Sequence, residues 1–323
     1  MIPYAILGTS WISEEFYAAS LRSDLRLRGI CSRSGEKGQA FTRELGVDVP
    51  VYPSMEALCA APDIEAVYVA SPNSLHAPQS EALLRAGKHV LCEKPITANP
   101  GDLERLQALA REKGLIYMEA IMYLHTPARQ AVKGALPQLG EITSAHFDFS
   151  QLSSRYDELV SGGVPSVFSA AMQGGAFNDL GIYCVYPALD FFGPPRGVQA
   201  QARVLPSTGA DGAGAALLRY PGFPLTLTWS KLGQSRGVSQ IMGTMGTLTI
   251  RSISQFQGVT LHPRHGEIRE LAAPLQKSEV MQHEARAFCD YILGRAIDVP
   301  HEESSALALS VARAMETIRR AWR

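Results

Sequence analysis

Residues 66–95 read AVYVASPNSLHAPQSEALLRAGKHVLCEKP and contain two apolar runs with a helical stretch between them. The first run, Ala66–Ala70, is continuously apolar, which is typical of a strand buried on both faces of a sheet. Residues 74–86 predict a helix that stops at Gly87, and His89–Cys92 predicts the next strand. Two strands joined by a crossover helix are the repeating unit of a parallel sheet. The stretch therefore indicates an α/β fold.

The same alternation of short apolar strands and helices extends over residues 1–120, beginning with the strand Tyr4–Leu7. After about residue 125 the pattern changes to strand-like runs separated by Gly and Pro turns. These runs cover residues 141–151, 198–205, 213–220, 224–231, 236–243, 246–252 and 257–262. Such runs predict an antiparallel sheet, and two helices close the chain.

We therefore predict an α/β protein of two domains. A Rossmann-type dinucleotide-binding domain with a parallel sheet is expected over residues 1–122. An α+β domain with a large, open, mainly antiparallel sheet is expected over residues 123–323. The last helix, at about 303–322, can pack back on the first domain.

The composition excludes several classes of protein. The 323 residues are 46% hydrophobic and carry a formal charge of -1, so neither nucleic acid nor an anionic membrane is expected as a partner. There is no run of about 18 apolar residues, and the N-terminus lacks the pattern of a signal peptide. Five scattered cysteines without a CxxC pair indicate free thiols in a reducing compartment and no metal site. We expect a soluble, cytoplasmic protein.

The first strand runs into Gly8-Thr-Ser10, where a dinucleotide-binding loop would lie. In such a loop, backbone N–H groups and the positive end of the following helix face the pyrophosphate. Gly8 is present, but Ser10 and Ser13 replace the second and third glycines of the fingerprint. We predict that Gly8, Ser10, Trp11 and Ile12 contact the cofactor. An ordinary tight turn is the alternative.

The end of the second strand distinguishes NAD from NADP. An acidic residue about 20 positions past the glycines binds the ribose hydroxyls in NAD-dependent proteins. Here the strand ends in Cys31-Ser32-Arg33-Ser34, which contains no acid. The guanidinium of Arg33 and the hydroxyl of Ser32 or Ser34 suit a 2′-phosphate. The sequence favours NADP, with NAD as the second candidate cofactor and a solvated loop arginine as the alternative interpretation.

Two further stretches carry a family resemblance. Ser71-Pro-Asn-Ser-Leu-His76, followed by Ala86-Gly-Lys-His-Val-Leu-Cys-Glu-Lys-Pro95, resembles the nicotinamide-side segment of the Gfo/Idh/MocA oxidoreductases. Gly174-Gly-Ala-Phe-Asn-Asp-Leu-Gly-Ile-Tyr183 is similar to the glycine-rich helix of that family, which has an Asp and, four residues later, a His or Tyr. With tyrosine at position 183, the motif resembles the branch of the family that contains glucose-fructose oxidoreductase and dimeric dihydrodiol dehydrogenase. The resemblance extends in order over essentially the whole chain.

The resemblance implies roles for individual residues. Lys94 would contact the reacting oxygen, Tyr183 would donate or accept its proton, and Asp179 would hold a neighbouring hydroxyl of the substrate. A tyrosine can serve in this way when a nearby ammonium group favours its phenolate. The residues expected around the nicotinamide and its ribose are Ser71, Asn73, His76, Glu93 and Lys94.

Each of these residues also has a purely structural interpretation. Lys94 can be a solvated lysine at a strand end, Tyr183 a core tyrosine, and Asp179 a local cap. Glu93 can form a structural ion pair, and either Asn73 or His76 can cap the helix that begins there. The residues alone leave these alternatives open.

The leading functional hypothesis is an NADP-dependent enzyme that interconverts a hydroxyl and a carbonyl group on a sugar, polyol or cyclic diol. The alternative is a nucleotide-binding sensor or scaffold that has lost catalysis, and the altered glycine loop is its best support. The loop 153–173 is expected to set substrate specificity. The resemblance also implies a homodimer or homotetramer formed through the C-terminal sheet.

Overall fold

The computed structural model describes residues 1–322, which form two compact units. The first unit contains Met1–His125 and Gln276–Ala306, and the second contains Thr126–Leu275 and the chain from Leu307 onward. Each unit is built around one β-sheet. No helix within the described residues is long and apolar enough to span a membrane.

Residues 1–125 contain six strands, which form a parallel sheet. The strands are β1 (Ile2–Leu7), β2 (Leu25–Cys31), β3 (Val51–Tyr52), β4 (Ala66–Val69), β5 (His89–Glu93) and β6 (Tyr117–Ala120). Their order is β3-β2-β1-β4-β5-β6. The connecting helices are α1 (Trp11–Ser20), α2 (Gly35–Leu45), α3 (Met55–Ala60), α4 (Asn73–Arg85) and α5 (Pro100–Glu112). The predicted Rossmann-type sheet is confirmed.

The centre of this sheet is dry. Every residue of β4 is buried, as its continuous apolar run predicts. Gly8, directly after β1, has a φ of 111°, and a Cβ at this position would lie 2.6 Å from the carbonyl oxygen of Ala70. Only glycine fits this close approach of two backbones, so the loop after β1 lies against the loop after β4.

Residues 126–275 contain eight strands in one sheet. The strands are β7 (Ile142–Ser150), β8 (Gly197–Val204), β9 (Asp211–Tyr220), β10 (Phe223–Ser230), β11 (Ser239–Gly243), β12 (Gly246–Ser252), β13 (Gln257–Pro263) and β14 (Arg269–Ala272). Their order is β14-β13-β12-β11-β7-β10-β9-β8. The pair β7–β10 is parallel and the other neighbours are antiparallel, so the predicted mainly antiparallel sheet is confirmed.

One face of this sheet is covered by the chain's own helix. Helix α6 (Pro127–Ala135) precedes β7, and α7 (Tyr156–Val160) and α8 (Ile182–Phe192) lie between β7 and β8. Helix α8 packs against β7 and β10. The alternating apolar residues Leu225, Leu227 and Trp229 of β10 are buried within this unit. Their pattern is therefore explained without a partner chain.

Helix α8 is anchored near its end by a buried ion pair. The guanidinium of Arg129, on α6, donates two hydrogen bonds of 2.7 Å to the two carboxylate oxygens of Asp190. Lys133, one turn further along α6, lies 3.1 Å from the same carboxylate. Arg129 and Asp190 are both almost completely buried, so the charges are stable there only because they are paired.

Two helices follow the second sheet, α9 (Lys277–Ile292) and α10 (His301–Ala321). Helix α9 packs on α1, and Arg295 just beyond it lies 2.6 Å from the carboxylate of Asp24. The structure thus groups residues 276–306 with the first unit, whereas we predicted from the sequence that all of residues 123–323 belong to the second domain. Periodicity reveals that a helix has an apolar face, but not which unit that face packs against.

A lone acid lies on the inner face of α9. Glu284 is fully buried, and neither of its carboxylate oxygens has a hydrogen-bond partner among the described residues. Burial raises the pKa of Glu284 well above its usual value, and the nearby charge of Glu93 raises it further. Burial and the neighbouring charge therefore both favour the protonated form of Glu284.

Removing the buried ion pair between Arg129 and Asp190 should lower the free energy of unfolding substantially. Asp190→Asn leaves the Arg129 charge buried without a counter-charge, and we expect it to destabilise the protein by about 3–5 kcal/mol. The matched control is Glu316→Gln, which removes the acid of an exposed pair with Arg320 and should cost less than about 1 kcal/mol. Urea unfolding of both variants measures the difference. Equal, small losses would contradict the role assigned to Asp190.

Glu284→Gln should make stability less dependent on pH. The folded-state pKa of Glu284 is raised, so the contribution of its protonated form to the free energy of unfolding is complete at acid pH. That contribution is lost as the pH rises toward the folded-state pKa. Between the unfolded and folded pKa values, the parent should lose about 1.4 kcal/mol per pH unit relative to Glu284→Gln. Thermal unfolding of both proteins from about pH 5 to about pH 9 tests this. Glu14→Gln, which changes an exposed residue of α1, is the control. A stability difference between the parent and Glu284→Gln that does not vary with pH would contradict the raised pKa of Glu284.

Candidate active site

Lys94 lies at the carboxyl end of β5, immediately after Glu93. The strand before it is buried at Val90, Leu91 and Cys92, so the chain first presents polar side chains at this end. The Lys94–Pro95 peptide bond is cis. In open α/β sheets, residues that contact ligands lie at the carboxyl ends of strands. The structure thus places Lys94 where such a residue is expected.

The Glu93 carboxylate is held by a residue that the sequence did not single out. The hydroxyl of Tyr68, on β4, donates a 2.6 Å hydrogen bond to Oε1 of Glu93. The Tyr68 ring stacks on Phe16, with 3.8 Å between ring centroids. Burial raises the pKa of Glu93, while the Lys94 ammonium and the Tyr68 hydroxyl oppose that shift. Glu93 is therefore an oriented acid beside Lys94.

His76 ties the loop after β4 to the Lys94–Pro95 segment. Its Nδ1 lies 2.8 Å from the carbonyl oxygen of Pro95, and its Nε2 lies 2.8 Å from that of Ser71. Burial lowers the pKa of this imidazole, and the neutral ring has one N–H to donate. His76 thus contacts the backbone on both sides. The hydroxyl of Ser71 in turn donates to Gln79, and Asn73 is the first residue of α4.

The predicted cofactor loop lies at the start of α1. Ser10 is extended, its side chain does not cap the helix, and its hydroxyl lies 3.3 Å from that of Ser13. Trp11 is 63% exposed, and the ammonium of Lys277 from α9 lies 4.4 Å from the centroid of its ring. Lys277 was not predicted, because only the packing of α9 on α1 brings it here. Ile12 follows in the first turn of the helix.

The end of β2 also leads into a helix N-terminus. The hydroxyl of Ser32 donates to the carbonyl of Ser34, and the Ser34 side chain caps α2 by accepting from the N–H of Lys37. Arg33 lies between them with an exposed side chain. A helix N-terminus and a guanidinium favour an anion at this point. This geometry is compatible with a phosphate on the adenosine ribose.

The glycine-rich stretch of the second unit is built against β9. Gly175 has a φ of 122°, and a Cβ there would overlap the carboxylate of Asp211. Asp211 accepts hydrogen bonds from the N–H of Phe177 at 2.8 Å and from the indole of Trp229 at 2.9 Å. Glycine at position 175 thus allows the turn that leads into the next helix.

That helix begins with a π-helical turn, Phe177–Gly181, which continues into α8. Asp179 lies in the π-turn and Tyr183 in the first turn of α8, so the two predicted residues share one segment. The resemblance predicts a helix here, and the structure shows that its first turn is the wider π type, which is common at functional sites. Tyr183 is buried, with its ring packed edge-on against Phe149 at 5.6 Å.

Asp179 has a partner that was not predicted. The ammonium of Lys231, directly after β10, lies 2.5 Å from Oδ2 of Asp179. The only signal for Lys231 in the sequence was a charged residue at the end of an alternating apolar strand, and such a position is normally solvated.

Within each unit the structure groups the predicted residues. Ser71, His76, Glu93 and Lys94 lie together in the first unit, and Asp179 and Tyr183 share one segment of the second.

Comparisons with known proteins cover both units of the chain. The family model described as an oxidoreductase family with an NAD-binding Rossmann fold matches residues 2–121. The GFO/IDH/MocA C-terminal domain matches residues 129–249. The chain is 34% identical over 321 residues to scyllo-inositol 2-dehydrogenase (NADP(+)) IolU of Bacillus subtilis, covering 99% of this chain and 97% of that protein.

Two further proteins resemble the chain. Trans-1,2-dihydrobenzene-1,2-diol dehydrogenase of Homo sapiens is 30% identical over 256 residues, covering 76% of this chain and 73% of that protein. The crystal structure of KijD10, a 3-ketoreductase from Actinomadura kijaniata in complex with NADP and TDP-benzene, superposes with a TM-score of 0.86 at 27% identity, covering 100% of this chain and 98% of that one. The resemblance found in the sequence is thereby confirmed: the chain belongs to the Gfo/Idh/MocA family of oxidoreductases.

Proposed function

We propose that this chain is an NADP-dependent dehydrogenase or reductase that interconverts a hydroxyl and a carbonyl group on a cyclic polyol, a sugar or a cyclic diol. The observation that carries the proposal is Lys94, at the carboxyl end of β5 beside the oriented acid Glu93. The similarity to an NADP-dependent inositol dehydrogenase over 99% of the chain supports the substrate class. Cyclic polyols are therefore the first candidates.

Lys94 and Tyr183 would act on the oxygen of the reacting carbon. The Lys94 ammonium would donate a hydrogen bond to that oxygen and stabilise negative charge on it. The Tyr183 hydroxyl would take the proton of the alcohol during oxidation and return a proton during reduction. When bound, NADP+ accepts the hydride that leaves the carbinol carbon, and NADPH supplies it in the reverse direction. Asp179 would accept a hydrogen bond from a neighbouring hydroxyl of the substrate.

The residues of the first unit fit the cofactor. Gly8 allows the loop after β1 to lie against the loop after β4, and the uncapped start of α1 offers N–H groups to a pyrophosphate. Ser32 and the exposed Arg33 would hold the 2′-phosphate. Glu93, with Ser71 and Asn73, would contact the nicotinamide riboside, and His76 would hold the backbone around Lys94.

The second unit would bind the substrate. The loop 153–173, which includes buried Phe168, would set specificity. Helix α8 covers one face of the sheet, so a homodimer or homotetramer would form through the other face. This assembly stays a prediction. The competing proposal, a sensor or scaffold without activity, is favoured by Ser10 and Ser13 in place of glycines.

A substrate panel tests the proposed function. Inositols, aldoses and trans-dihydrodiols are assayed with NADP+ and NAD+, and we expect a cyclic polyol to be oxidised with NADP+. Lys94→Met should lower kcat by at least about 100-fold and leave NADPH affinity, measured by fluorescence titration, within a few-fold. Lys113→Met, an exposed lysine on the surface, is the control. Undiminished activity of Lys94→Met would refute its role, and cofactor binding without turnover of any compound would favour the sensor or scaffold.

Arg33→Ala separates the two cofactors. Removing the charge-assisted hydrogen bonds to a 2′-phosphate should raise the KM for NADPH by about tenfold or more and leave the KM for NADH unchanged, because NADH lacks that phosphate. Arg28→Ala, an exposed arginine on the same strand β2, is the matched control. Equal effects on both cofactors would mean that the phosphate binds elsewhere.

A further inference from the structure

Lys231 occupies a junction in the second unit. It follows β10 directly, and its N–H donates to the carbonyl of Gly212 on β9 at 2.8 Å. Its own carbonyl accepts a 3.0 Å hydrogen bond from the N–H of Ser153, at the start of the loop 153–173. The backbone of Lys231 is therefore fixed between the sheet and this loop.

The side chain of Lys231 points inward from that junction. Its ammonium lies 2.5 Å from Oδ2 of Asp179, 3.3 Å from the carbonyl oxygen of Val167, and 5.6 Å from the centroid of the Phe168 ring. One lysine thus contacts both the predicted substrate-binding acid and the loop 153–173.

The pair is unequally buried. The side chain of Lys231 is 4% exposed, whereas that of Asp179 is 33% exposed. A surface ion pair would have two exposed partners, and a purely structural pair such as Arg129–Asp190 has none. In this pair the cation is buried, while part of the Asp179 carboxylate, here called its open side, is exposed to solvent. This arrangement is expected of an acid that is fixed by a buried cation and can still accept a hydrogen bond from a ligand.

We propose that Lys231 is a positioning and specificity-determining residue for the substrate, an assignment that rests on the proposed function. It holds the Asp179 carboxylate ionised and fixed, so that the open side accepts a hydrogen bond from a hydroxyl next to the reacting carbon. It also neutralises the charge of Asp179. A neutral polyol is therefore accepted at this point, and an amino-deoxy analogue with an ammonium in place of that hydroxyl is disfavoured.

The pair itself is tested by stability, which needs no substrate. Asp179→Asn leaves a buried ammonium without its counter-charge and should lower Tm by about 4 °C or more, whereas Lys231→Met should lower it less. The double variant should be more stable than Asp179→Asn alone, because the orphaned charge is gone. Strictly additive losses would overturn the proposal.

Kinetics test the positioning role. Lys231→Met should raise the KM for the polyol by about tenfold while kcat and the KM for NADPH stay within a few-fold, and Lys231→Arg should restore most of the loss. Discrimination against the amino-deoxy analogue should fall in Lys231→Met, and Lys113→Met should change nothing. Equal effects on the polyol and NADPH, no rescue by arginine, or unaltered discrimination would each overturn the proposal.

Activity of the parent protein separates failure of the proposed function from failure of the role of Lys231. If the parent protein turns over no compound in the panel, the proposed function fails, while the stability cycle still decides whether Lys231 and Asp179 are coupled. If the parent is active and Lys231→Met retains its KM for the polyol, the proposed function stands and the role of Lys231 is wrong.

Discussion

The burial of the central strands in the six-stranded parallel sheet determines where the first unit can carry polar side chains. Strand β4 is buried along its whole length, and β5 is buried from Val90 to Cys92. A charged side chain within these strands would lose its hydration without gaining a partner. Polar residues are therefore confined to the ends of the strands, and at the carboxyl end two strands deliver Ser71, Glu93 and Lys94 to one edge. The position of these polar residues therefore follows from the burial of the strands that precede them.

Neighbouring strands then orient the residues at this edge. The Tyr68 hydroxyl on β4 holds the Glu93 carboxylate, and His76 contacts the backbone of Ser71 and Pro95 on either side. These contacts use residues that do no chemistry in the proposed reaction. They restrict the backbone around Lys94, which is what a catalytic group needs if its position is to be reproducible.

In the second unit, two ion pairs bracket the segment that carries Tyr183. Asp179 pairs with Lys231 before α8, and Asp190 pairs with Arg129 near the end of that helix. Both cations are buried, so each pair resists separation. The difference lies in the acids: Asp190 is enclosed, while Asp179 keeps an open side. The same type of interaction thus stabilises the helix at one end and, in our proposal, binds substrate at the other.

Local sequence determined most of the strands and helices of both units and the parallel sheet, because periodicity is a property of neighbouring residues. Two contiguous motifs, through their resemblance to a known family, also supplied the candidates Lys94, Asp179 and Tyr183. It missed β14, a short polar edge strand without alternation, and the π-turn at Phe177–Gly181. Tertiary structure alone decided that α9 joins the first unit, that Lys277 reaches Trp11, and that Lys231 reaches Asp179. These contacts join residues far apart in the chain, and their energy comes from burial and charge pairing that no single stretch of sequence contains.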